Sequence, residues 1–492
     1  MILGTLLEKL NYRVINGTEN IEINNIVYDS RKVTEGDVFV CICGAEADGH
    51  KYIPDAVKKG CKAIVTEREI QVSDEYKDTV FIVTDDTRLA LAYMSAAFFD
   101  YPAEKLFTIG ITGTKGKTTT TFMIREILES CGISTGLIGT VECIAGDERI
   151  VSERTTPESY AIHELFDKMV KAGCKCVVME VSSQALMLHR TAGITFDIGV
   201  FTNLSADHIG PNEHSSFENY MECKGMLFKQ CRIGIVNSDS SYTEGVLKGH
   251  TCTIEKYGLA KGADLRAENI KYSHEDGHTK TSYDVTGTMA MHVELNLPGE
   301  FSVYNSLCAI AVSGHFNVDE EILKKALLNV KVNGRVEPVR VSDKFTVMVD
   351  YAHNAMSLES LLKTLREYNP KRIVTLFGCG GNRSNTRRFE MGEISGRMSY
   401  FTIITSDNPR NENPEDIMND IETGIRKTDG KYIKIADRRE AVIYAVTHAL
   451  PGDIVVIAGK GHEDYQEING VKYHMSDREL VEEAGKLLDS KE

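Results

Sequence analysis

The amino-acid sequence predicts an α/β protein organised in about three domains, and three observations lead to this fold class. The chain has 492 residues, and a domain typically takes about 150 of them. Apolar runs typical of buried strands alternate with segments of helical spacing, which favours mostly parallel sheets. One such strand, at residues 106–111, runs into a Gly/Thr/Lys turn and then a helix. We therefore expect helices packed on sheets, with ligand sites where the strands end.

Composition places the chain among ordinary globular proteins with an acidic surplus. It contains 56 Lys and Arg against 72 Asp and Glu, a formal net charge of −16 at pH 7. This balance argues against nucleic-acid binding, which needs a basic face to displace counterions from phosphates. No apolar run reaches the roughly 18 residues of a membrane span, and the N-terminus lacks a signal-peptide layout. We expect a cytoplasmic protein with reduced cysteines and no membrane partner.

The first domain, residues 1–103, is predicted to be a small α/β unit. Its apolar runs indicate strands at 26–29, 37–42, 63–66 and 80–84. A helix-like stretch at 88–99 then leads to Tyr101-Pro102. Because proline disfavours helix at the residue before it, we place the domain boundary near 102–105.

The second domain, residues 104–335, begins with the strand, turn and helix named above. The helix carries Met123, Ile124, Ile127 and Leu128 at helical spacing. Further buried strands are predicted at 176–181 and 198–204. Residues from about 250 to 297 have the character of antiparallel strands, and a helix is predicted within 305–312.

The third domain, residues 336–492, follows Asn333-Gly334-Arg335. Its strands are predicted at 346–349, 373–377, 402–405 and 454–457. Each strand leads into polar or glycine-rich sequence, in order DYAHN, GCGGNR, SDNPR and AGKGHED. Ligands of open parallel sheets bind outside the carboxyl ends of the strands, so these four exits predict a site.

The turn after the strand at 106–111 is predicted to bind the phosphates of a nucleotide. Glycines let the backbone close around phosphate, and the helix N-terminus offers unpaired N–H groups. Lys117 would reach the outer phosphates, and Thr118 could ligate Mg²⁺. The strict phosphate-loop pattern is not met, because Ile111 occupies its first glycine position, and an ordinary strand–helix turn is the alternative. The predicted nucleotide-binding residues are Gly113, Thr114, Lys115, Gly116, Lys117, Thr118 and Thr119.

Two further side chains are predicted near this turn because they follow neighbouring strands. Glu180 ends the buried run CVVMEV, where a carboxylate must be paired or bound to metal. A salt-bridged glutamate is the alternative for this position. His208 follows the next strand exit, and on the residues alone a metal ligand and a loop residue remain equally open.

A series of motifs, in order from about residue 110 to 465, carries a family resemblance. They are GTKGKTTT, TTPES, MEVSSQALMLHR, TNLSADH, YNSLCAIAV, NGRVEPV, VDYAHN, SDNPR and AGKGHED, together with the N-terminal YDSRKVTEGDVFVCICGAEADGH. The set resembles the Mur ligases of peptidoglycan synthesis, and among them the UDP-N-acetylmuramoyl-tripeptide synthetases, which add the third residue of the stem peptide. The resemblance covers nearly the whole chain.

The resemblance implies a fold and a reaction. The fold has a small N-terminal α/β domain for the UDP end, a central P-loop-type ATPase domain and a C-terminal Rossmann-like domain for the incoming amino acid. In the reaction, ATP phosphorylates the D-glutamate side-chain carboxylate of UDP-N-acetylmuramoyl-L-alanyl-D-glutamate. An amine then attacks the acyl phosphate, forming an amide and releasing phosphate. Mg²⁺ as cofactor and a monomeric state are implied as well.

The resemblance also implies roles for individual residues. Lys224 matches the family lysine that is carbamylated, which converts a cation into an anion able to ligate Mg²⁺. Without the resemblance, Lys224 would be predicted as a solvated helix lysine. The implied catalytic residues are Lys117, Glu180, His208 and Lys224, with Thr118, Glu180, His208 and carbamylated Lys224 as metal ligands. The nucleotide set adds Asn305, Arg335 and Asp350, and the UDP-muramoyl-dipeptide set is Ser30, Thr155, Thr156, Ser182 and Arg190.

The added amino acid is predicted from the third domain. Diaminopimelate carries a second carboxylate that lysine lacks, so a site selecting it should present an extra cation. Asp407-Asn408-Pro409-Arg410 matches the motif of members that add meso-diaminopimelate, with Arg410 as that cation. Arg388 falls where those members place a second arginine. Gly459 and Glu463 match the positions that receive the distal amino and carboxylate groups.

Three alternatives remain open at this point. One is the same reaction with L-lysine, one is a folylpolyglutamate synthetase relative, and one is a non-catalytic ATP-binding scaffold. The YDSR domain argues against the folate enzyme, and the scaffold predicts loss of catalytic residues that are all present. The chain departs from the family pattern at Gln184, at 209–220, at Asn354-Ala355 and at Asn382.

Overall fold

The structure, a computed structural model, describes residues 1–44, 47–205, 209–210, 213–275 and 278–489. The chain folds into two compact units. The first is Met1–Asp264 with Cys308–Val318, and the second is Leu265–Leu307 with Asp319–Glu492. No helix in the described part of the chain is both long and apolar enough to span a membrane. Each of the twelve cysteines, all of them described, is a free thiol.

The beginning of the first unit is a small sheet with helices packed on it. Its strands are β1 (Tyr12–Asn16), β2 (Ile26–Val27), β3 (Val38–Val40), β4 (Ala63–Thr66) and β5 (Val80–Thr84). Its helices are α1 (Leu3–Leu7), α2 (Ile53–Lys58) and α3 (Thr87–Phe98). The order is β1-β5-β4-β3-β2, with only the β1–β5 pair antiparallel. The four predicted strands and the predicted helix are confirmed, whereas β1, with its mostly half-buried residues, was not predicted.

The rest of the first unit is a larger sheet that contains the phosphate-loop strand. Its strands are β6 (Phe107–Thr112), β7 (Thr135–Ile138), β8 (Glu142–Ala145), β9 (Glu148–Val151), β10 (Cys176–Glu180), β11 (Phe196–Phe201), β12 (Cys231–Asn237) and β13 (Thr253–Gly258). Its helices are α4 (Lys117–Ser130), α5 (Ser159–Lys171), α6 (Ser183–Met187), α7 (Phe217–Gly225) and α8 (Thr243–Val246). Here the order is β13-β12-β11-β6-β10-β7-β8-β9. Because β10, β6 and β11 pair in parallel, their carboxyl ends meet at one edge.

The region from about residue 250, predicted to form antiparallel strands, begins with a strand, β13, that has a parallel partner the sequence did not predict. β13 pairs with β12 in parallel, with Thr253 opposite Ile233. The chain between them includes α8, and such a crossover is what a parallel neighbour requires. In the second unit, β14 (Leu265–Glu275), β15 (His278–Gly287) and β16 (Met291–Leu295) pair antiparallel, as predicted.

The second unit also contains a doubly wound sheet. Its order is β17-β18-β22-β19-β20-β21, with β17 (Glu337–Val339), β18 (Thr346–Asp350), β19 (Arg372–Phe377), β20 (Phe401–Ile404), β21 (Tyr432–Lys434) and β22 (Asp453–Ala458). The helices after β16 are α9 (Glu300–Ser313), α10 (Glu320–Asn329), α11 (Ala355–Arg366), α12 (Asn385–Met398), α13 (Pro414–Ile425), α14 (Arg438–Thr447) and α15 (Asp477–Asp489). A hairpin of β23 (Tyr465–Ile468) and β24 (Val471–His474) follows β22. All four predicted strands are confirmed, and their carboxyl ends lie at one edge because β18, β22, β19 and β20 are parallel.

Candidate active site

The phosphate loop connects the end of β6 to the start of α4, as predicted. Gly113 has a φ of 150° and Gly116 a φ of 87°, values that favour glycine. A Cβ atom on Gly113 would overlap the hydroxyl group of Thr202, at the exit of β11. Asn203 accepts hydrogen bonds from the backbone N–H groups of Thr114 (2.9 Å) and Lys115 (2.9 Å). The neighbouring strand exit therefore holds the loop in place.

Two lysine side chains reach this loop from different helices. The Nζ atom of Lys117 donates to the carbonyl oxygens of Gly113 (2.9 Å) and Thr114 (3.2 Å). Lys224, on α7, is 1% exposed, and its Nζ atom also donates to the Gly113 carbonyl, at 2.9 Å. That Nζ atom lies 4.5 Å from the ring centroid of Tyr220. Lys224 is thus a buried residue of α7 that contacts the phosphate loop, and not the solvated lysine that helical position alone predicts.

The carboxylate of Glu180 is 1% exposed at the end of β10. Its Oε2 atom accepts from the hydroxyl groups of Thr118 (3.1 Å) and Thr140 (3.0 Å), and its Oε1 atom from the Thr140 N–H (2.8 Å). These donors are all neutral, so a cation would compensate the buried charge. A carboxylate beside a threonine hydroxyl is a donor set that suits Mg²⁺. His208, the other predicted ligand, lies outside the described residues.

A cavity of about 930 Å³ in the first unit collects the predicted UDP-muramoyl-dipeptide residues. Its lining comes mostly from loops and helices beside both sheets of this unit and includes Lys117 at the start of α4. The predicted residues that line it are Ser30, Thr155, Thr156, Ser182 and Arg190. These side chains are far apart in sequence, and the fold brings all five to the same cavity.

Sequence reasoning missed a charge cluster in the wall of this cavity. Glu158 forms ion pairs with three guanidinium groups, those of Arg190 (2.8 Å), Arg154 (3.0 Å) and Arg88 (3.3 Å). Arg190 is 7% exposed, and burial lowers the pKa of its guanidinium group. Arg154 and Glu158 lie on either side of the predicted Thr155-Thr156 pair, and this proximity could have indicated that both belong to the cavity. Arg88 lies on α3, a helix of the N-terminal part of the chain. No local sequence pattern could have indicated that its side chain contacts this cavity.

Several predicted residues of the cavity also hold the backbone of the site. The Ser182 hydroxyl caps α6 by accepting from the Ala185 N–H at 3.1 Å. The Thr156 hydroxyl donates to the Glu180 carbonyl (2.8 Å) and accepts from the Ser182 N–H (3.0 Å). Through these bonds the cavity wall is joined directly to the Glu180 strand exit. A buried histidine that was not predicted, His214, also lines the cavity, and its Nε2 atom lies 2.8 Å from Ser183 Oγ.

In the second unit, Asp350 and Arg335 lie together at the end of β18. Asp350 accepts backbone hydrogen bonds from Val336 (2.8 Å) and Ala352 (2.7 Å). Burial raises the pKa of the Asp350 carboxyl group. The guanidinium of Arg335 lies 4.9 Å from the Tyr351 ring centroid. Asn305, the third predicted nucleotide residue of this unit, is buried on α9.

The predicted amino-acid residues Asp407, Asn408, Gly459 and Glu463 meet at the exits of β20 and β22. Asn408 Nδ2 donates to Glu463 Oε2 at 2.8 Å. A Cβ atom on Gly459, which has a φ of 114°, would lie 2.7 Å from an oxygen of Asp407. The fully buried Arg438 donates to the carbonyl oxygens of Ser406 (3.2 Å) and Ala458 (3.0 Å), and so ties the two exits together.

The two predicted arginines of this site have different surroundings. Arg410 is half-buried, with its guanidinium 2.7 Å from the Gly381 carbonyl and 3.3 Å from Glu467 Oε2. Arg388 is 2% exposed and pairs with both Glu412 (2.8 Å) and Asp420 (3.0 Å). Arg388 is therefore the centre of an internal ion-pair network in this structure. Its contact with a bound amino acid stays a prediction.

Three protein-family models match this chain and together span most of it. They are described as Mur ligase family, catalytic domain (residues 22–99), Mur ligase middle domain (111–313) and Mur ligase, glutamate ligase domain (334–461). UDP-N-acetylmuramoyl-L-alanyl-D-glutamate--2,6-diaminopimelate ligase of Clostridium perfringens is 41% identical over 98% of this chain and 99% of its own. The chain belongs to the Mur ligase family.

Two further relatives agree with this membership. UDP-N-acetylmuramoyl-L-alanyl-D-glutamate--2,6-diaminopimelate ligase 1 of Clostridium acetobutylicum is 42% identical, over 98% of this chain and 99% of its own. A solved structure of a UDP-N-acetylmuramoyl-L-alanyl-D-glutamate--2,6-diaminopimelate ligase has a TM-score of 0.71 and 29% identity, and 97% of each chain is covered. The fold class and the family resemblance are thereby confirmed. The domain boundaries near 103 and 335 stay predictions.

Two departures of this Mur ligase from the family pattern have structural explanations. Asn354 caps α11, because its Oδ1 atom accepts from the Ser357 N–H at 2.9 Å. Asn382 has a φ of 55°, a left-handed conformation that asparagine tolerates better than most residues. Gln184 lines the cavity of the first unit.

Among the described residues, one group of three could in principle hold a metal ion, and its hydrogen bonds argue against that. Cys43, Asp48 and His50 place a ligand atom each within 4.8 Å of one another. The Glu67 N–H donates to His50 Nε2 at 3.2 Å, so the ring proton lies on Nδ1, 2.7 Å from Asp48. A metal on Nδ1 would force a proton onto Nε2, facing the Glu67 N–H. The hydrogen bond from His50 also keeps the pKa of Asp48 well below its ordinary value.

Proposed function

We propose that this chain is an ATP-dependent ligase that joins meso-diaminopimelate to the D-glutamate side-chain carboxylate of UDP-N-acetylmuramoyl-L-alanyl-D-glutamate. The observation that carries the proposal is that Lys117 lines the same cavity as Ser30, Thr155, Thr156, Ser182 and Arg190. This arrangement supports a substrate whose carboxyl end lies beside the phosphates of ATP. We propose further that the enzyme acts in the cytoplasm, where such water-soluble nucleotide substrates are found, and that it is a monomer.

The chemistry accounts for the charges of the site. A carboxylate is a poor electrophile, and phosphorylation by ATP gives it a leaving group. Two anions must approach each other in this step, so positive charge at the phosphate loop lowers the barrier. Lys117 supplies one such charge next to the backbone N–H groups at the start of α4. Attack of the amine on the acyl phosphate then forms the amide, and phosphate leaves.

Thr118 and Glu180 are the residues that would hold Mg²⁺, which neutralises phosphate charge when bound. Their separation of 3.1 Å, together with the neutral donors around the Glu180 carboxylate, supports this assignment. We extend it to Lys224 as a carbamate and to His208. A buried lysine beside the loop supports the carbamate, because the modification removes a positive charge and adds two oxygen ligands.

For the amino acid, we propose that Arg410 receives the distal carboxylate of meso-diaminopimelate and that Glu463 receives its distal amino group. The 41% identical Clostridium perfringens relative, a 2,6-diaminopimelate ligase by name, supports this choice over L-lysine. Lysine would leave the Arg410 guanidinium without a carboxylate partner from the substrate, and sites built for a polar group reject analogues that lack it. Asp407, Asn408, Gly459 and Arg388 complete the proposed pocket, and Asn305, Arg335 and Asp350 bind the nucleoside.

The test is product formation by the purified chain. It is incubated with ATP, Mg²⁺ and UDP-N-acetylmuramoyl-L-alanyl-D-glutamate, with meso-diaminopimelate, L-lysine or ornithine as the third substrate. We expect phosphate release and a UDP-tripeptide with meso-diaminopimelate, and little of either with the other two. Nucleotide binding without turnover would instead support a scaffold. Preference for lysine would remove the diaminopimelate assignment while keeping the ligase reaction.

A further inference from the structure

Lys460 is a fully buried ammonium group beside the proposed amino-acid pocket. It follows the end of β22 and is 0% exposed, and Lys224 is the one other buried lysine of the described chain. Taking an ammonium group out of water is costly unless it is paired and hydrogen-bonded. Lys460 belongs to none of the residue sets assigned above, so the reason for its burial is open.

The contacts of Lys460 join two residues of the proposed pocket. Its Nζ atom lies 3.1 Å from Asn408 Oδ1 and 3.3 Å from Glu463 Oε2. Asn408 Nδ2 donates to the same Glu463 oxygen at 2.8 Å. Asn408 Oδ1 also accepts from the Glu467 N–H at 2.9 Å, which settles the orientation of the amide. Lys460, Asn408 and Glu463 thus form a closed triangle of contacts around one oxygen of Glu463.

The two oxygens of Glu463 consequently differ. Oε2 has both a cationic and an amide donor, whereas Oε1 has a single long contact, 3.5 Å from the Tyr351 hydroxyl. A carboxylate oxygen can accept about two hydrogen bonds, so Oε1 retains capacity for a further donor. The side chain of Glu463 is 19% exposed, which leaves access for a ligand.

We propose that Lys460 is a positioning residue for the added amino acid, holding Glu463 so that its Oε1 atom receives the distal amino group. This inference rests on the proposed function, in which Glu463 binds that amino group. Lys460 acts through Glu463, because it is buried behind the carboxylate and has no surface of its own for the substrate. Without Lys460, the Glu463 side chain would lose one of its two fixed donors and sample more orientations.

A structural role would have a different signature from a positioning role. If Lys460 only anchored the turn after β22, its loss would weaken binding of every amino acid that enters the pocket. If it positions Glu463, its loss would weaken binding only where a distal amino group is present. The discriminating ligand is 2-aminopimelate, which keeps both carboxylates of diaminopimelate and lacks the distal amino group.

The experiment measures steady-state kinetics of Lys460→Met and the matched control Lys472→Met. Lys472 is exposed on β24, with its Nζ atom 3.9 Å from the Tyr465 ring centroid, and Lys460 lies 5.4 Å from the same centroid. For Lys460→Met we expect the KM for meso-diaminopimelate to rise about tenfold with kcat within about threefold of wild type. The KM for ATP and the inhibition constant of 2-aminopimelate stay within about twofold. The control behaves as wild type.

A double variant protects the test against misfolding of the single one. Lys460→Met leaves the Glu463 carboxylate without its cation, whereas Lys460→Met combined with Glu463→Gln removes both charges together. If Lys460 acts through Glu463, the double variant has the same KM for meso-diaminopimelate as Glu463→Gln alone. Additive losses, or equal losses for 2-aminopimelate and meso-diaminopimelate, would overturn the inference.

Isothermal titration calorimetry of meso-diaminopimelate binding to the wild-type chain distinguishes failure of the proposed function from failure of the inference about Lys460. A wild-type chain that neither binds nor uses this amino acid would overturn both the function and the inference. A wild-type chain that uses it, with an unchanged KM in Lys460→Met, would overturn the inference alone.

Discussion

The Nζ atom of Lys224 lies 2.9 Å from the carbonyl oxygen of Gly113, although 111 residues separate them in the chain. This contact brings a buried amine to the loop that we propose binds ATP. Lys224→Arg keeps the positive charge and cannot form a carbamate. We expect it to fold, as judged by its melting temperature, and to lose at least about 90% of kcat. Carbon-13 NMR of wild type under labelled bicarbonate should show a carbamate signal that the variant lacks. Near-normal turnover of Lys224→Arg would contradict carbamylation.

Lys117→Ala should abolish turnover, because it removes a positive charge from the phosphate loop, and Lys224 in its proposed carbamate form is an anion that cannot replace it. We expect kcat to fall below a tenth of wild type, a loss of more than about 1.4 kcal/mol. The matched control is Lys229→Ala, an exposed lysine that follows α7. Phosphate release under saturating substrates measures the effect. Retention of a larger fraction of kcat would remove Lys117 from the mechanism.

Glu158→Gln should lower both the stability and the affinity for the UDP substrate. The change removes the carboxylate that pairs with the buried Arg190, as well as with Arg88 and Arg154. Breaking one partner of a buried ion pair costs about 3 kcal/mol, which denaturant unfolding measures. We also expect a higher KM for UDP-N-acetylmuramoyl-dipeptide with an unchanged KM for ATP. Glu153→Gln, an exposed change in the same segment, is the control, and equal effects of the two would refute the role of the cluster.

Arg410→Ala should impair the use of meso-diaminopimelate more than that of L-lysine. A charge-assisted hydrogen bond to a carboxylate contributes roughly 1.5–3 kcal/mol, so kcat/KM for diaminopimelate should fall about tenfold or more. Lysine has no distal carboxylate that Arg410 could bind, so kcat/KM for lysine should change less. Arg397→Ala on α12, where Arg397 pairs with Glu393, provides the control. Equal losses for the two amino acids would exclude Arg410 from selectivity.

His163 should make the protein less stable in acid. The ring is fully buried on α5, neither ring nitrogen has a hydrogen-bond partner, and burial lowers its pKa from 6.5 to about 4. Below pH 6.5 the unfolded chain binds a proton that the folded chain excludes. The free energy of unfolding should therefore decrease by about 3 kcal/mol between pH 6.5 and 4 through this group, and be unaffected by it above pH 6.5. Urea unfolding of His163→Leu should show a smaller decrease, and an identical pH profile would contradict this account.

Local patterns in the sequence predicted the phosphate loop because its physics is local. A buried strand, two glycines and a helix start within about a dozen residues of one another, and each is indicated by its own neighbours. The four exits in the third domain were predicted for the same reason. The parallel pairing of β13 with β12 was not predicted, because the direction of a strand depends on the connection that leads to it and not on the strand's own residues.

Arg388 shows that a residue's role cannot be transferred from a family motif on position alone. Its position in the sequence matches the second arginine of diaminopimelate-adding members, yet in the structure its guanidinium pairs with Glu412 and Asp420. Glu412 lies 24 residues along the chain from Arg388, just before α13. Asp420 lies 32 residues from Arg388, within α13. Charged residues at such separations give no periodic signal, so their pairing could not be predicted from the chain alone.

The sequence by itself determined the fold class, the family, the phosphate loop and a few of the side chains that line the cavity of the first unit, namely Ser30, Lys117, Thr155, Thr156, Ser182 and Arg190. Tertiary structure alone decided that Lys224 and Lys460 are buried, that Glu158 joins three arginines, and that Arg88 reaches the cavity from helix α3 of the N-terminal part of the chain. The physical reason is that backbone propensity acts between near neighbours. Burial and ion pairing depend on which distant segments the packed sheets bring together.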